Sequence, residues 1–532
     1  MNTPALLLIL DGWGIGPDGV GNVLSTAALP TWQRLMKQGL TTTLAAASTE
    51  VGLPSGHQGS SEMGHLMIGA GQPVLFPQTQ VQAALVNHAV GQNAAYRKVM
   101  MDCKEHNRPL HLVGLLSDRG VHAYAELAYQ LLDLAKELEV PSVYIHIIAD
   151  GRDTGPQELP VFLAQLRAYM ERVKLGSIAT VVGRYFAMDR DQRWDRVEKA
   201  YRLYTEGVGT ICPAIEQYLQ DYYRGVYPQE LPLTDEFIPP LVCDVAGKIQ
   251  AGDGVIFWNF RVDRAGELTE AFVEPGFNKF SRPYLSVNFV ATTKYYDELA
   301  VPVAFEQQHI AYPLGAVLAD QQLTQLRVAE TEKWAYVTKV LDGYTEVTFP
   351  LEDKLLISSD KVATYDLRPE MQADAIANAI VDDLQQGRHQ VIIANFANAD
   401  MVAHTGNIMA TQQAVEAIDR ALTQIDAALQ TAHGFMLITA DHGNCEQMQN
   451  ADTSTNANHT ANRVPLCLIN YHPHLVPLVE SATLRAGTLM DVAPTLVHLL
   501  DVPLPTNFNT SLLCGLKELV SHCYQLRLLL LF

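Results

Sequence analysis

No two of the seven cysteines stand in a C-x-x-C spacing. Cys103, Cys212, Cys243, Cys445, Cys467, Cys514 and Cys523 are scattered along 532 residues. An odd, dispersed set argues against a disulfide framework and reads as reduced thiols in an intracellular chain. Long apolar runs are missing too. A membrane span needs roughly 18 consecutive apolar residues, and the runs Ala5–Leu10 and Leu528–Phe532 are far shorter. The first of these lacks a basic flank and meets Asp11 at once, unlike a signal peptide. A soluble, cytoplasmic protein is therefore expected. Positive charge is scarce, with Lys+Arg 37 against Asp+Glu 58 and a net charge of -21. Such a surface repels nucleic acid and anionic membranes, so neither is expected as a partner. An anionic small substrate would need a locally concentrated cationic pocket.

What the chain does have is core-forming material, at 48% hydrophobic and 18% charged. Its length suggests two to four domains at about 100–200 residues each. Short apolar segments end abruptly in polar residues. Ala5–Leu10 runs into Asp11, Pro109–Leu116 into Ser117–Asp118, and Val143–Ala149 into Asp150–Asp153. Gly254–Trp258 runs into Asn259–Arg264, Gln390–Ala394 into Asn395–Asp400, and Gly434–Thr439 into Asp441–His442. Amphipathic helical stretches lie between them: Tyr124–Leu138, Leu159–Val173, Trp194–Thr205, Met371–Leu384 and Ala410–Gln430. Continuous apolar strands alternating with helices predict an α/β protein with a parallel sheet covered on both faces. Ligands of such sheets sit beyond the carboxyl ends of the strands, where the polar residues gather. Hinge-like segments at Gln72–Pro77 and Glu306–Pro313, the latter after Lys294–Asp297, suggest that residues 76–309 are inserted into a domain made of 1–75 and 310–515. The tail 516–532 has no assigned role.

Asp400-Met-Val-Ala-His404 puts a carboxylate and an imidazole four residues apart, on one face if helical. Asp441-His442 adds a second such pair at a strand end, and Asp11, Ser61 and His459 could complete a two-cation site. Mixed oxygen and nitrogen donors suit Mn, Zn or Co. Taken singly, each of these residues reads better as a helix cap or an ordinary loop histidine. Together, each at an element end, they point to metal binding.

The segment Leu53-Pro-Ser-Gly-His-Gln-Gly-Ser-Ser-Glu-Met-Gly-His65 precedes an apolar stretch. A serine at a helix N-terminus beside a divalent cation would be an activated nucleophile, with helix N–H groups ready for a phosphoryl group. One serine of the segment could equally be a helix cap, and spacing does not choose among Ser55, Ser60 and Ser61. Arg152, Arg184, Arg190, Arg261 and Arg264 all fall within 76–309. Guanidinium forks bind carboxylate and phosphate at two points. Each of them has an Asp nearby, so ordinary ion pairing is the competing account.

These motifs resemble the cofactor-independent (2,3-bisphosphoglycerate-independent) phosphoglycerate mutases, relatives of alkaline phosphatases. The resemblance rests on LLILDGWG at 7–14, LPSGHQGSSEMGHLMIGAG at 53–71, HLVGLLSDRGVH at 111–122, DGRDTGP at 150–156, GRYFAMDRDQRWDR at 183–196 and NFRVDR at 259–264. It continues through AETEKWAYVT at 329–338, TYDLRPEM at 364–371, NFANADMVAHTG at 395–406, TADHGNCE at 439–446 and NHTANRVP at 458–465. It implies an alkaline-phosphatase-like parallel-sheet metal domain carrying two divalent ions, usually manganese, with an inserted α/β transferase domain. Asp400, His404 and His459 would hold one ion; Asp11, Ser61, Asp441 and His442 would hold the other. Ser61 would be the nucleophile and Lys333 the phosphoryl stabiliser. His122, Arg152, Asp153, Arg184, Arg190, Arg261 and Arg264 would bind phosphoglycerate, with Asp153 deprotonating the accepting hydroxyl. The chain is expected to act as a monomer. A phosphatase of the same superfamily, or a binding protein that has lost catalysis, are the rival readings.

The chain departs from the family pattern at several positions. Ser60 stands where Asn is usual and His57 where Gln is. Arg119 replaces a Gly, Gly155 a Pro, Gly266 an Arg, Tyr336 a His and Arg463 a Pro. The closing segment from Pro505 also differs.

Overall fold

The computed structural model describes residues 3–53, 56–227, 230–296, 299–345, 347–450, 452–475 and 482–514. Ser55, Asp297 and the tail 516–532 lie outside the described residues. The chain forms two compact units, one made of Met1–Leu75 with Gln308–Phe532 and the other of Phe76–Gln307.

The first unit is built on an eight-stranded sheet. Its order is Glu352–Ile357, Gln325–Glu330, Val391–Phe396, Ala5–Leu10, Phe435–Thr439, Val464–Asn470, Leu40–Ala45 and Gly487–Thr488. The first five strands run parallel. Every residue of Ala5–Leu10, Val391–Phe396 and Phe435–Thr439 is buried, as a sheet covered on both faces requires. Burying Leu6, Leu7, Leu8, Ile9 and Leu10 contributes about 1.5–3 kcal/mol each, which pins the central strand and with it Asp11. The helices Ala373–Gln386 and Ile408–Thr431 supply part of the cover. In the longer one Ala414, Ile418, Ala421, Leu422, Ile425 and Leu429 are buried, a stripe at i, i+3 and i+4 spacing.

This sheet is mixed, not wholly parallel. Val464–Asn470 runs antiparallel to both of its neighbours. It follows Phe435–Thr439 without a crossover helix, and adjacent strands joined in that way pair antiparallel. Its first residues therefore lie beside the last residues of the parallel strands, with Leu466 opposite Thr439. The loop carrying His459 is thereby delivered to the edge where Asp11, Asp400 and Asp441 emerge.

The second unit has a seven-stranded sheet ordered Thr210–Ile211, Leu241–Val242, Ser177–Gly183, Val143–Ala149, Leu110–Leu115, Gly254–Phe257 and Asn288–Ala291. All neighbours are parallel except Ser177–Gly183 with Leu241–Val242. Helices Ala125–Glu137, Leu159–Val173 and Trp194–Glu206 occur where apolar periodicity predicts them, within two residues at each end.

Candidate active site

Four neighbouring parallel strands of the first unit each end in one part of a buried cluster. Asp11 follows Ala5–Leu10. Lys333 closes the turn Thr331–Lys333 after Gln325–Glu330. Asp400 lies in the helix Asn398–Ala403 after Val391–Phe396, and Asp441 and His442 follow Phe435–Thr439. Ser61 opens the helix Ser61–Ala70, nine of whose ten residues are buried. Gly64 lets this helix lie against the cluster, because a Cβ there would stand 2.3 Å from the Asp441 carbonyl oxygen.

The two neighbouring serines separate cleanly. Ser60 is the helix N-cap, its hydroxyl accepting from the Met63 N–H at 3.3 Å. The Ser61 hydroxyl instead lies 2.7 Å from Lys333 Nζ, 3.0 Å from His442 Nε2 and 3.2 Å from Asp11 Oδ1. Lys333 Nζ also donates to Asp11 Oδ1 and to Asp400 Oδ2, both at 2.7 Å.

The donor atoms fall into two groups, Asp400 with His442 and His459, and Asp11 with His65 and Asp441, the atoms of each lying within 4.8 Å of one another. Asp400 Oδ1 is 3.2 Å from His404 Nε2, 3.4 Å from His459 Nε2 and 4.0 Å from His442 Nε2, and the His404 and His459 nitrogens are 3.0 Å apart. His442 Nε2 is also 3.4 Å from both Asp11 Oδ1 and Asp441 Oδ2, and 3.0 Å from the Ser61 hydroxyl. Donors bound about 2.0–2.2 Å from a common ion are expected at about this mutual spacing. Hydrogen bonding on the far side of each ring supports the fit. The Nδ1 atoms of His404, His459 and His442 face the carbonyls of Ala457, Gly59 and Gly443 at 2.8, 2.9 and 3.3 Å. A carbonyl only accepts, so each ring carries a proton on Nδ1, and Nε2, on the carboxylate side, is the atom left to bind an ion once it gives up any proton it holds. Imidazole ligands of metals are held in this way. Asp441 adds a second sign: Oδ1 accepts N–H bonds from Gly12 and His442, whereas Oδ2 is buried with no hydrogen-bond partner among the described residues and faces the rings of His65 and His442, at 3.2 and 3.4 Å. The residues present fit two divalent cations.

Electrostatics agree. Burial would lower the His442 pKa, but Asp441 and Asp400 overcome it and push it up to about 10. Burial would raise the Asp400 carboxyl, but Lys333 and His442 hold it well below its ordinary value. Burial would lower Lys333 as well, and Asp11 and Asp400 reverse that and keep it charged. Excess negative charge in a dry site thus draws in every cation within reach.

Sequence reasoning passes over the supporting residues. His65 faces the Ser61 carbonyl through Nδ1 at 2.8 Å, accepts from Asn395 through Nε2 at 3.0 Å, and places Nδ1 3.2 Å from Asp441 Oδ2. Its i+4 spacing from Ser61 is the available signal. Asn395 also donates to Asp11 Oδ2, and Asn444 to Asp400 Oδ1, both at 2.8 Å. Buried Glu446 accepts from the backbone N–H groups of Gly14 and Asn444 and from the side chains of Thr460 and Asn462, joining three loops of the cluster. Two of the departures from the family pattern are structural here. Arg463 ties Thr43 to Gly487, and Tyr336 packs 5.6 Å from the His65 ring.

The second unit gathers the other expected residues beyond the ends of its own parallel strands. Arg184 is 3% exposed; it donates to Asp150 Oδ1 and Asp153 Oδ2 at 2.6 and 2.5 Å and faces His122 Nε2 at 3.0 Å. That contact makes Nε2 an acceptor and leaves the proton on Nδ1. Burial, followed by Arg184, lowers His122 to about 4, so the ring is neutral. Arg190 and Arg261 both pair with Asp263, at 2.9 and 3.1 Å, Arg264 donates to the Met188 carbonyl at 3.0 Å, and Arg152 lies 3.7 Å from Glu236. The arginines do pair with acids, yet Arg152, Arg190 and Arg261 stay about half exposed. Burial first, then Arg190, Arg184 and Arg152, lower the Arg264 pKa, a mark of crowded positive charge in an acidic protein. At Gly266 a Cβ would stand 2.1 Å from the Tyr296 ring, so a longer side chain there would have to displace that ring.

A buried set of carboxylate, imidazole, lysine and serine donors at the strand ends of an α/β unit defines a divalent-metal enzyme. Residues 81–297 match the family model described as BPG-independent PGAM N-terminus (iPGM_N). A 2,3-bisphosphoglycerate-independent phosphoglycerate mutase from Moorella thermoacetica is 42% identical over 515 residues, covering 96% of this chain and 98% of the relative. One from Symbiobacterium thermophilum is 41% identical over 512 residues, covering 95% and 96%. The solved Leishmania mexicana phosphoglycerate mutase at low cobalt concentration superposes with a TM-score of 0.63 at 28% identity, covering 96% of this chain and 98% of that one. The chain belongs to the 2,3-bisphosphoglycerate-independent phosphoglycerate mutases.

Proposed function

We propose that this mutase interconverts 3-phosphoglycerate and 2-phosphoglycerate through a phosphoserine on Ser61. The observation that carries the reading is the Ser61 hydroxyl, set at the first turn of a buried helix within 3.2 Å of Lys333, His442 and Asp11. Asp400, His404 and His459 would hold one divalent ion and Asp11, Ser61, Asp441 and His442 the other; when bound, the ions supply positive charge that acidifies the Ser61 hydroxyl and offsets charge on the phosphoryl oxygens. The mixed donor sets suit manganese, which we take as the metal.

The chain's own residues perform the rest. Ser61 Oγ, its proton passing to Asp11 Oδ1 which it faces, forms a bond to phosphorus as the bond from phosphorus to the substrate's O3 breaks. O3 leaves as a hydroxyl with a proton from Asp153, which the O2 hydroxyl replaces in the return step, and Ser61 Oγ recovers its own proton when it departs. Lys333 donates to the transferring group's oxygens, where charge develops, and the N–H groups of the helix end add to this. Arg152, Arg184, Arg190, Arg261 and Arg264 hold the carboxylate and hydroxyls of glycerate through guanidinium forks. His122, neutral with its proton on Nδ1, is a donor to substrate oxygen. Asp153 accepts the proton of the O2 hydroxyl, O2 attacks the phosphoserine, and Ser61 Oγ departs. Water must be kept from the phosphoserine, because its attack there would make the enzyme a phosphatase.

Among the described residues no helix is long and apolar enough to cross a membrane. We place the enzyme in the cytoplasm as a monomer acting on a small molecule. The test is a coupled assay for 2-phosphoglycerate, without bisphosphoglycerate and with manganese added or chelated. Formation that depends on metal and is lost in Ser61→Ala, while that variant still binds substrate, supports the proposal. Release of inorganic phosphate without 2-phosphoglycerate would favour the phosphatase reading.

A further inference from the structure

The loop that carries Arg190 is gripped by two buried carboxylates, neither of which the reaction above uses. Asp189 Oδ2 accepts the N–H groups of Asp191 and Arg193, each at 2.9 Å. Glu267 Oε1 accepts the intervening N–H, that of Gln192, also at 2.9 Å. Gln192 has φ +59°, a left-handed conformation that a non-glycine residue adopts only when its surroundings hold it there. Glu267 stands in the first turn of the helix Gly266–Val273, three residues after Arg264, whose guanidinium donates to the Met188 carbonyl in the same loop. Loop and helix are therefore tied at both Met188 and Gln192.

Glu267 and Asp189 are 3% and 5% exposed. Glu267 Oε2 is buried without a partner among the described residues. The charged groups facing this pair are Asp191 and Arg196, whose Nη1 is 3.5 Å from Asp189 Oδ1, and the Tyr296 phenol lies beside Glu267. The two carboxylates accept consecutive N–H groups of one short loop, and a proton held between such neighbours turns repulsion into a hydrogen bond. Burial, with Asp189 adding to it, pushes the Glu267 carboxyl up to about 7.

We propose that Glu267 is a positioning residue for substrate binding: protonated, it closes a clasp with Asp189 that sets Arg190, and loss of that proton loosens the grip on the substrate. The inference rests on the reading of Arg190 as a substrate ligand. It is tested by measuring KM and kcat for 3-phosphoglycerate at saturating manganese, at about pH 6 and about pH 8.5, on either side of the Glu267 titration, in the wild type, E267Q, E267A and R190A.

Gln can accept from Gln192 and donate to Asp189 at both pH values. The ratio of wild-type to E267Q KM is therefore expected to rise several-fold from the lower pH to the higher. Dependences arising at the metal site are common to both proteins and cancel in that ratio. E267A should raise KM about tenfold over the wild type at the lower pH and by less at the higher, where the wild type has already lost the proton, with a smaller effect on kcat, and E267Q should restore it at the lower pH. A ratio that stays flat overturns the proposal, as does an unchanged KM in E267A. If E267A does not fold, the wild-type to E267Q ratio still decides. An unchanged KM in R190A would overturn the reading of Arg190 itself, whereas a raised KM there with a flat ratio removes only the clasp.

Discussion

Lys333→Met tests the charge balance of the cluster and the proposed chemistry together. Lys333 Nζ makes three contacts of 2.7 Å, to Asp11, Asp400 and the Ser61 hydroxyl, and is fully enclosed. Methionine has similar length and no charge. If the ammonium steadies the phosphoryl group in transit, its loss should lower kcat by about 10²–10³, or roughly 2.7–4 kcal/mol, as for other preorganised donors to developing charge. KM should change much less, because the interaction belongs to the transition state. Stability should respond differently. Without metal, Lys333 and His442 are the cations that balance three buried carboxylates, and breaking a buried ion pair costs about 3–5 kcal/mol. With metal bound, the ions take over that balance. Melting followed by circular dichroism should therefore show a large loss in chelator and a small one in excess manganese, with a difference of order 5–10 °C for a unit of this size. An unchanged kcat would refute the catalytic role. An equal loss of melting temperature in both conditions would refute the charge-balance argument.

Metal affinity should depend on pH. His442, pushed up to about 10 without metal, must release a proton to become a ligand. Apparent affinity at that site should then rise about tenfold per pH unit below this value, and the heat of manganese binding should vary with the ionisation enthalpy of the buffer. A heat independent of buffer would contradict the assignment. Glu330, which opens the turn that carries Lys333, supplies a stability test. Burial pushes its carboxyl from 4.5 up to about 7, so its favourable contribution is complete below the lower value and is lost as pH rises through the higher one. The difference is about 3 kcal/mol at 1.36 kcal/mol per pKa unit. E330Q should remove that slope in urea unfolding compared at about pH 5 and about pH 8, and an unchanged slope would count against it.

Local chemistry by itself determines much of this protein. The runs Ala5–Leu10, Val143–Ala149 and Phe435–Thr439 are strands because continuous apolar side chains demand cover on both faces, and the stripe along Ile408–Thr431 is helical because its period is. The residue types of the site are legible because so many carboxylate, imidazole and guanidinium groups fall together at element ends, where any one alone would read as a cap or an ion pair. Tertiary structure alone decides which serine meets the carboxylates and which merely caps a helix. It also decides that His65, Asn395, Asn444 and Glu446 hold the donors in place, and that Arg184 is buried between Asp150 and Asp153 while other arginines stay open. The reason is distance along the chain. Ser61 and His442 are 381 residues apart in sequence, yet their reactive atoms are 3.0 Å apart. No local preference encodes such a meeting; it follows from sheet order and register, which emerge only when all strands pack at once.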